Sequence, residues 1–90
     1  MYNRLEGVTL MRNEEYFRTY DAIRQGNLYT AKIEPSFDAD DEYPVKLWIV
    51  YVDLDRRKHP EYTRHYKTAK AAYNRMTQYF KGENIEWRPV

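Results

Sequence analysis

Hydrophobic and polar positions along this chain change period several times, and each change marks an element. In "MRNEEYFRTYDAIRQGN", Tyr16, Phe17, Tyr20 and Ile23 fall at i, i+1, i+4 and i+7, one apolar stripe of helical period. Asn13 is suited to cap such a helix, and Glu14 and Glu15 suit the positive end of its dipole. Gly26 supplies a left-handed stop. The spacing predicts a helix over 14–25.

The period then drops to two. "LYTAKIE" (28–34) sets Tyr29, Ala31 and Ile33 against Thr30 and Lys32, the pattern of a half-buried strand. "PSFDADDEYP" is bounded by Pro35 and Pro44 and reads as a loop. "VKLWIVYVDL" (45–54) is continuously apolar, as expected of a central strand covered on both faces. "DRRKHPE" reads as a turn, because Pro60 cannot continue a ladder. "YTRHYK" (62–67) alternates again, with Tyr62, Arg64 and Tyr66 on one face.

Thr68 then caps a second predicted helix, whose stripe is Ala69, Ala72, Tyr73, Met76, Tyr79 and Phe80 and whose stop is Gly82. In the tail, Ile85 and Trp87 alternate with Glu86 and Arg88, which predicts a short edge strand. The N-terminal "GVTLM" reads as a further strand or an extended arm. The expected order is therefore (β)αβββα(β), an α+β fold: a three-stranded antiparallel meander flanked by two helices on one face. The competing arrangement is ferredoxin-like, βαββαβ, with 62–67 in loop or helix. The strand composition of "EYTRHYK" and the cap at Thr68 favour the meander. Ninety residues suffice for one domain, 1–90.

Charge adds a polarity that the near-neutral total of +1 conceals. Glu34, Asp38, Asp40, Asp41 and Glu42 gather in one loop without a base. Arg56, Arg57, Lys58, Arg64, Lys67, Lys70 and Arg75 follow with one acid among them, Glu61. Two opposed poles suit oriented docking better than adsorption to a polyanion. The longest apolar run, "LWIVYV", is far below a membrane span, and the N-terminus lacks a signal-peptide layout. These features predict a cytoplasmic protein.

Candidate chemistry narrows quickly. The chain has no cysteine, which removes thiol catalysis and thiolate metal sites. His59 and His65 are too far apart on an extended segment to share an ion. "DADDEYP" places Asp38, Asp40 and Glu42 like alternate ligands of a calcium loop, but Tyr43 stands where glycine is needed and Ile49 where the bidentate glutamate belongs. Asp53 and Asp55 have a spacing used for divalent ions, yet no second acid cluster completes a site. The isolated glycines form no phosphate loop, and no nucleophile–base pair is evident. No enzyme, cofactor or metal is expected.

The order αβββα, with Lys67, Ala69, Lys70 and Ala72 where the third strand meets the last helix, resembles the double-stranded RNA-binding domain. That resemblance implies lysines straddling phosphates, with Lys67 and Lys70 in the matching positions. The acidic first hairpin loop departs from the family and would repel a phosphate backbone.

Ten tyrosines are the oddest feature of the composition. Tyr16, Tyr20, Tyr73 and Tyr79 fall on predicted buried stripes, whereas Tyr62 and Tyr66 flank Arg64 on a strand face, and tyrosine and arginine are hot-spot residues. The leading expectation is a protein-binding module, an inhibitor or adaptor, similar in style to the small inhibitors of phages and mobile elements, anti-CRISPR (viral) proteins among them. Its contact residues would be Asp38, Asp40, Asp41 and Glu42, or Arg56, Arg57, Tyr62, Arg64, Tyr66, Lys67 and Lys70. The alternative is a sequence-tolerant nucleic-acid binder using the basic set, with Tyr62 or Tyr66 stacking on bases. A homodimer through Trp87 on the edge strand is a third expectation.

Overall fold

The computed structural model describes residues 13–36 and 42–90. It comprises α1 (Asn13–Tyr16), β1 (Thr19–Arg24), β2 (Asn27–Pro35), β3 (Val45–Val52), β4 (Lys58–Tyr66), α2 (Ala69–Thr77) and β5 (Arg88–Pro89). The strands form one antiparallel sheet in the order β4-β3-β2-β1-β5. This overturns the three-stranded meander with two flanking helices: the sheet has five strands and one helix longer than a turn. It also excludes the ferredoxin-like order, since no helix separates β1 from β2. The αβββα order behind the RNA-binding-domain resemblance is lost with it. The "GVTLM" segment lies outside the described residues.

The error lies in residues 17–26. The expected helix is one turn, and the chain then enters β1 with Tyr20 and Ala22 inward and Ile23 60% exposed. Gly26 is not a helix stop. Gln25 (φ 53°) and Gly26 (φ 80°) are the central pair of a two-residue hairpin closed by Arg24 and Asn27. Positive φ at both positions is the type I′ pattern, whose twist matches antiparallel strands. Tyr16 and Tyr20 are both buried, but their contact spans a helix–strand junction, where Tyr20 Oη donates to the Tyr16 carbonyl at 2.9 Å.

One face of the sheet carries the core. Tyr20 and Ala22 of β1, Tyr29, Ala31 and Ile33 of β2, and Val45, Leu47 and Ile49 of β3 are buried there, under Ala69, Ala72 and Met76 of α2. The two alanines let the helix backbone approach the sheet closely, and Met76 fills the remaining space. Thr68 caps α2 as expected, accepting from the Ala71 amide at 3.1 Å. The helix ends at Thr77, and Tyr79 and Phe80 reach the core from the turn that follows.

β3 departs from its expected burial on both faces. Val45, Leu47 and Ile49 point under α2, but Trp48 on the other face is 40% exposed. No described helix covers that face. β4 is longer than expected, beginning at Lys58 and containing His59 and Pro60. It tolerates proline because it is an edge strand, and a bulge between the Ile49–Tyr62 and Val50–Pro60 pairs leaves Glu61 as the extra residue. At the opposite edge β5 pairs with β1, while Trp87, just before it, is buried and stacks on Phe80 (centroids 5.7 Å, planes 12° apart). Trp87 therefore belongs to the core.

Candidate functional site

The expected contact residues that the structure describes are spread along β4 and around its two ends. Asp38, Asp40 and Asp41 lie outside the described residues, and Glu42 is exposed beside them. Arg56 and Arg57 occupy the β3–β4 turn, whereas Lys67 and Lys70 lie at the start of α2. Nine residues of β4 separate these groups, roughly 30 Å at strand rise. The basic strip is thus two clusters at opposite ends of one strand.

Its middle is coherent. Tyr62, Arg64 and Tyr66 share the helix-side face of β4, opposite Ile49, Leu47 and Val45 respectively. The Tyr62 and Tyr66 hydroxyls hydrogen-bond to each other. Arg75 of α2 stands over the Tyr62 ring at 5.1 Å, and the Tyr79 ring lies 5.8 Å from it. Lys67 stands 5.8 Å from the Tyr43 ring centroid. Tyr43, Arg64, Tyr66, Lys67 and Ala71 help line an open depression of about 560 Å³.

The phenols are tuned in opposite directions. Burial would raise Tyr62, but hydrogen bonds from Tyr66, Arg64 and Arg75 outweigh it and hold this phenol below its ordinary value. Tyr66 is pushed up to about 12, by burial first and then by its bond to Tyr62. Tyr79 is raised by burial and by Glu61, whose carboxylate accepts its hydroxyl at 3.2 Å. The guanidinium groups of Arg64 and Arg75 thus stand beside the Tyr62 phenol on this face.

The remaining candidates resolve into turn chemistry. Asp53 Oδ1 accepts from the amides of Asp55 (2.8 Å) and Arg57 (2.9 Å), and Oδ2 meets His59 Nε2 at 2.7 Å. The hydrogen bond from His59, then that from the Arg57 amide, lowers the Asp53 carboxyl below its usual range. Arg56 sits there at φ 64°. Asp53 and His59 are thus occupied in shaping a hairpin.

A pair invisible in sequence is Ser36 Oγ with His65 Nε2, 3.1 Å apart across the sheet edge. A hydrolase would also need an acid orienting the ring and donors for an oxyanion. No carboxylate of the described residues hydrogen-bonds to His65. The contact ties the end of β2 to β4.

The sheet face opposite α2 contains the other residues that sequence reasoning missed. Trp48 faces Lys32 on β2 and Thr63 on β4. The Lys46 ammonium lies 4.7 Å from the Trp48 ring centroid, a contact worth ~0.5–1 kcal/mol at an exposed site. Beside the indole runs a groove of about 510 Å³, bounded by Thr30, Lys32, Val50, Lys58, Pro60 and Thr63. The signal was present as an alternation, Lys46, Trp48, Val50 and Val52 against Val45, Leu47, Ile49 and Tyr51. It was masked because both sets include large apolar residues.

No helix among the described residues is long and apolar enough to cross a membrane. No protein-family model, curated protein or solved structure matches the chain.

Proposed function

We propose that this chain is a non-enzymatic protein-binding module of the cytoplasm, an inhibitor or adaptor, that takes an extended acidic segment of its partner along β4. The observation that carries the reading is the row Tyr62, Arg64, Tyr66 on an edge strand, backed by Arg75 from α2. An edge strand offers unpaired backbone groups, so an added strand gains main-chain hydrogen bonds before any side chain contributes. Pro60 and the Glu61 bulge spoil the first part of β4 for pairing. The regular stretch from Tyr62 to Tyr66 remains.

On an added strand, the residue opposite Arg64 would sit on the same face. A carboxylate there meets a guanidinium fork, flanked by two tyrosines already immobilised by their mutual bond. Isolated surface ion pairs contribute only ~0.2–1 kcal/mol. Tyrosine and arginine anchors that become desolvated lose ~2 kcal/mol or more on truncation, so the side-chain row supplies the affinity and the charge its selectivity.

The reading is tested by selection from a random-peptide display library on the immobilised protein. The expected peptides are extended and acidic, and Arg64→Glu or Arg75→Glu weakens them at least about tenfold, equivalent to ~1.4 kcal/mol. Peptides without acidic enrichment, or indifferent to both variants, contradict it.

A further inference from the structure

The sheet face opposite α2, which no described element covers, carries a second site, and we infer that it binds single-stranded nucleic acid, with Trp48 as the stacking platform. The site is on the other side of the sheet from the Tyr62–Tyr66 row and is independent of the reading given for β4. Trp48 is 40% exposed at the middle of β3, where no described element covers it. Its groove crosses the sheet from Thr19 of β1 to Lys58 and Thr63 of β4, four strands or roughly 14 Å. An exposed aromatic beside a largely apolar groove edged by lysines, on a rigid sheet, is an arrangement on which unpaired bases stack.

Charge selects the occupant. Lys32 and Lys58 line the groove and Lys46 stands against the indole, whereas no carboxylate lines it. Hydroxyls of Thr19 and Thr63 add hydrogen-bonding groups for phosphate, sugar or base edges, whereas that of Thr30 already donates to Asp21 at 2.9 Å. Two existing contacts must yield. Lys46 occupies one face of the Trp48 ring, and a cation–π contact at an exposed site is weaker than stacking of a base. The displaced ammonium is then free to meet phosphate. Lys32 lies 3.6 Å from Glu34, with its side chain more than half exposed, a surface pair that a phosphate can replace.

The site shares Lys58 with the basic set expected from sequence (Arg56, Arg57, Lys58, Arg64, Lys67 and Lys70), but Arg64, Lys67 and Lys70 take no part in it. An acidic peptide also complements lysines but gives Trp48 no base to stack on. Duplex nucleic acid keeps its bases stacked internally, so a single strand fits best.

The indole supplies the readout. Trp87 is buried against Phe80, so quenching of tryptophan emission on ligand addition reports Trp48. Titration with oligothymidylate at low salt is expected to quench emission, with log K falling by about 0.7 per phosphate engaged as log salt rises. Trp48→Ala, measured by anisotropy of a labelled strand, is expected to weaken binding about tenfold or more. Lys32→Glu and Lys58→Glu are expected to weaken it and flatten the salt dependence, while Arg64→Glu leaves the quenching unchanged. Thermal melts of each variant verify folding. Absence of oligothymidylate binding at low salt overturns the assignment. So does equal binding by folded Trp48→Ala, or equal quenching by polyglutamate or by a DNA duplex.

Discussion

Tyr62 and Tyr66 share a hydroxyl–hydroxyl hydrogen bond although Arg64 stands between them on the same face of β4. Two phenols joined in this way cannot ionise independently. Ultraviolet titration should show one tyrosine below the ordinary value near ~10 and others near the value of about 12 reached by Tyr66 and by Tyr20, each raised chiefly by burial. Tyr66→Phe should shift the low transition upward by removing a donor to Tyr62, and Tyr62→Phe should abolish it.

The same shifts set an alkaline limit. A phenol raised in the folded state contributes stability that is intact below the unfolded value and lost as pH rises through the folded one. For Tyr20 and Tyr66 that window runs from ~10 to about 12. Denaturant midpoints should hold up to the start of this window and fall across it. Tyr20→Phe should soften the fall, because its hydroxyl is the buried donor to Tyr16.

The two faces of β3 predict opposite responses to truncation. Met76 of α2 is fully buried over the inner face, so Met76→Ala should cost ~2–5 kcal/mol through transfer and cavity terms. Trp48, larger but facing outward, should cost under ~1 kcal/mol on truncation, as surface positions generally do. Equal losses in chemical denaturation would mean that the outer face is also covered.

The β3–β4 turn is an acid-sensitive element. The Asp53 carboxyl is depressed, so its contribution is present above the unfolded value of ~4 and lost as pH falls through its own lower value. Amide exchange of Asp55 and Arg57, the backbone donors to Asp53, should accelerate below that range beyond what intrinsic chemistry predicts. Asp53→Asn should show the faster exchange at neutral pH.

The β1–β2 hairpin gives a backbone prediction. Gly26 at φ 80° faces open space, so Gly26→Ala meets no clash and should still cost ~1–2 kcal/mol from the left-handed conformation alone. Gln25 bears the same strain at φ 53°. Gln25→Asn should recover part of it, about 0.5 kcal/mol, since asparagine tolerates this region better. Thermal melts measure both.

That hairpin also explains why the fold was only partly legible in the sequence. Tyr16, Phe17, Tyr20 and Ile23 satisfy a helical stripe, while Tyr20 and Ala22 satisfy a strand just as well. Gly26 follows either element. What decides is the pairing of β1 with β2 on one side and β5 on the other, a tertiary gain that local pattern does not contain. Strand β2 and the Thr68 cap were readable because their signals are local. The Tyr62, Arg64, Tyr66 row was readable for the same reason. Arg75 and Trp48 were not, because their value depends on which element crosses which face.

The most direct test of the account is amide hydrogen exchange and chemical-shift mapping on the protein bound to a selected acidic peptide. Docking along β4 predicts new protection and the largest shifts at the backbone of Tyr62 to Tyr66, with Arg75 and Lys67 affected beside them and Trp48 unmoved. Shifts centred on Trp48 and the sheet face opposite α2, with the β4 amides exchanging as in the free protein, would contradict it.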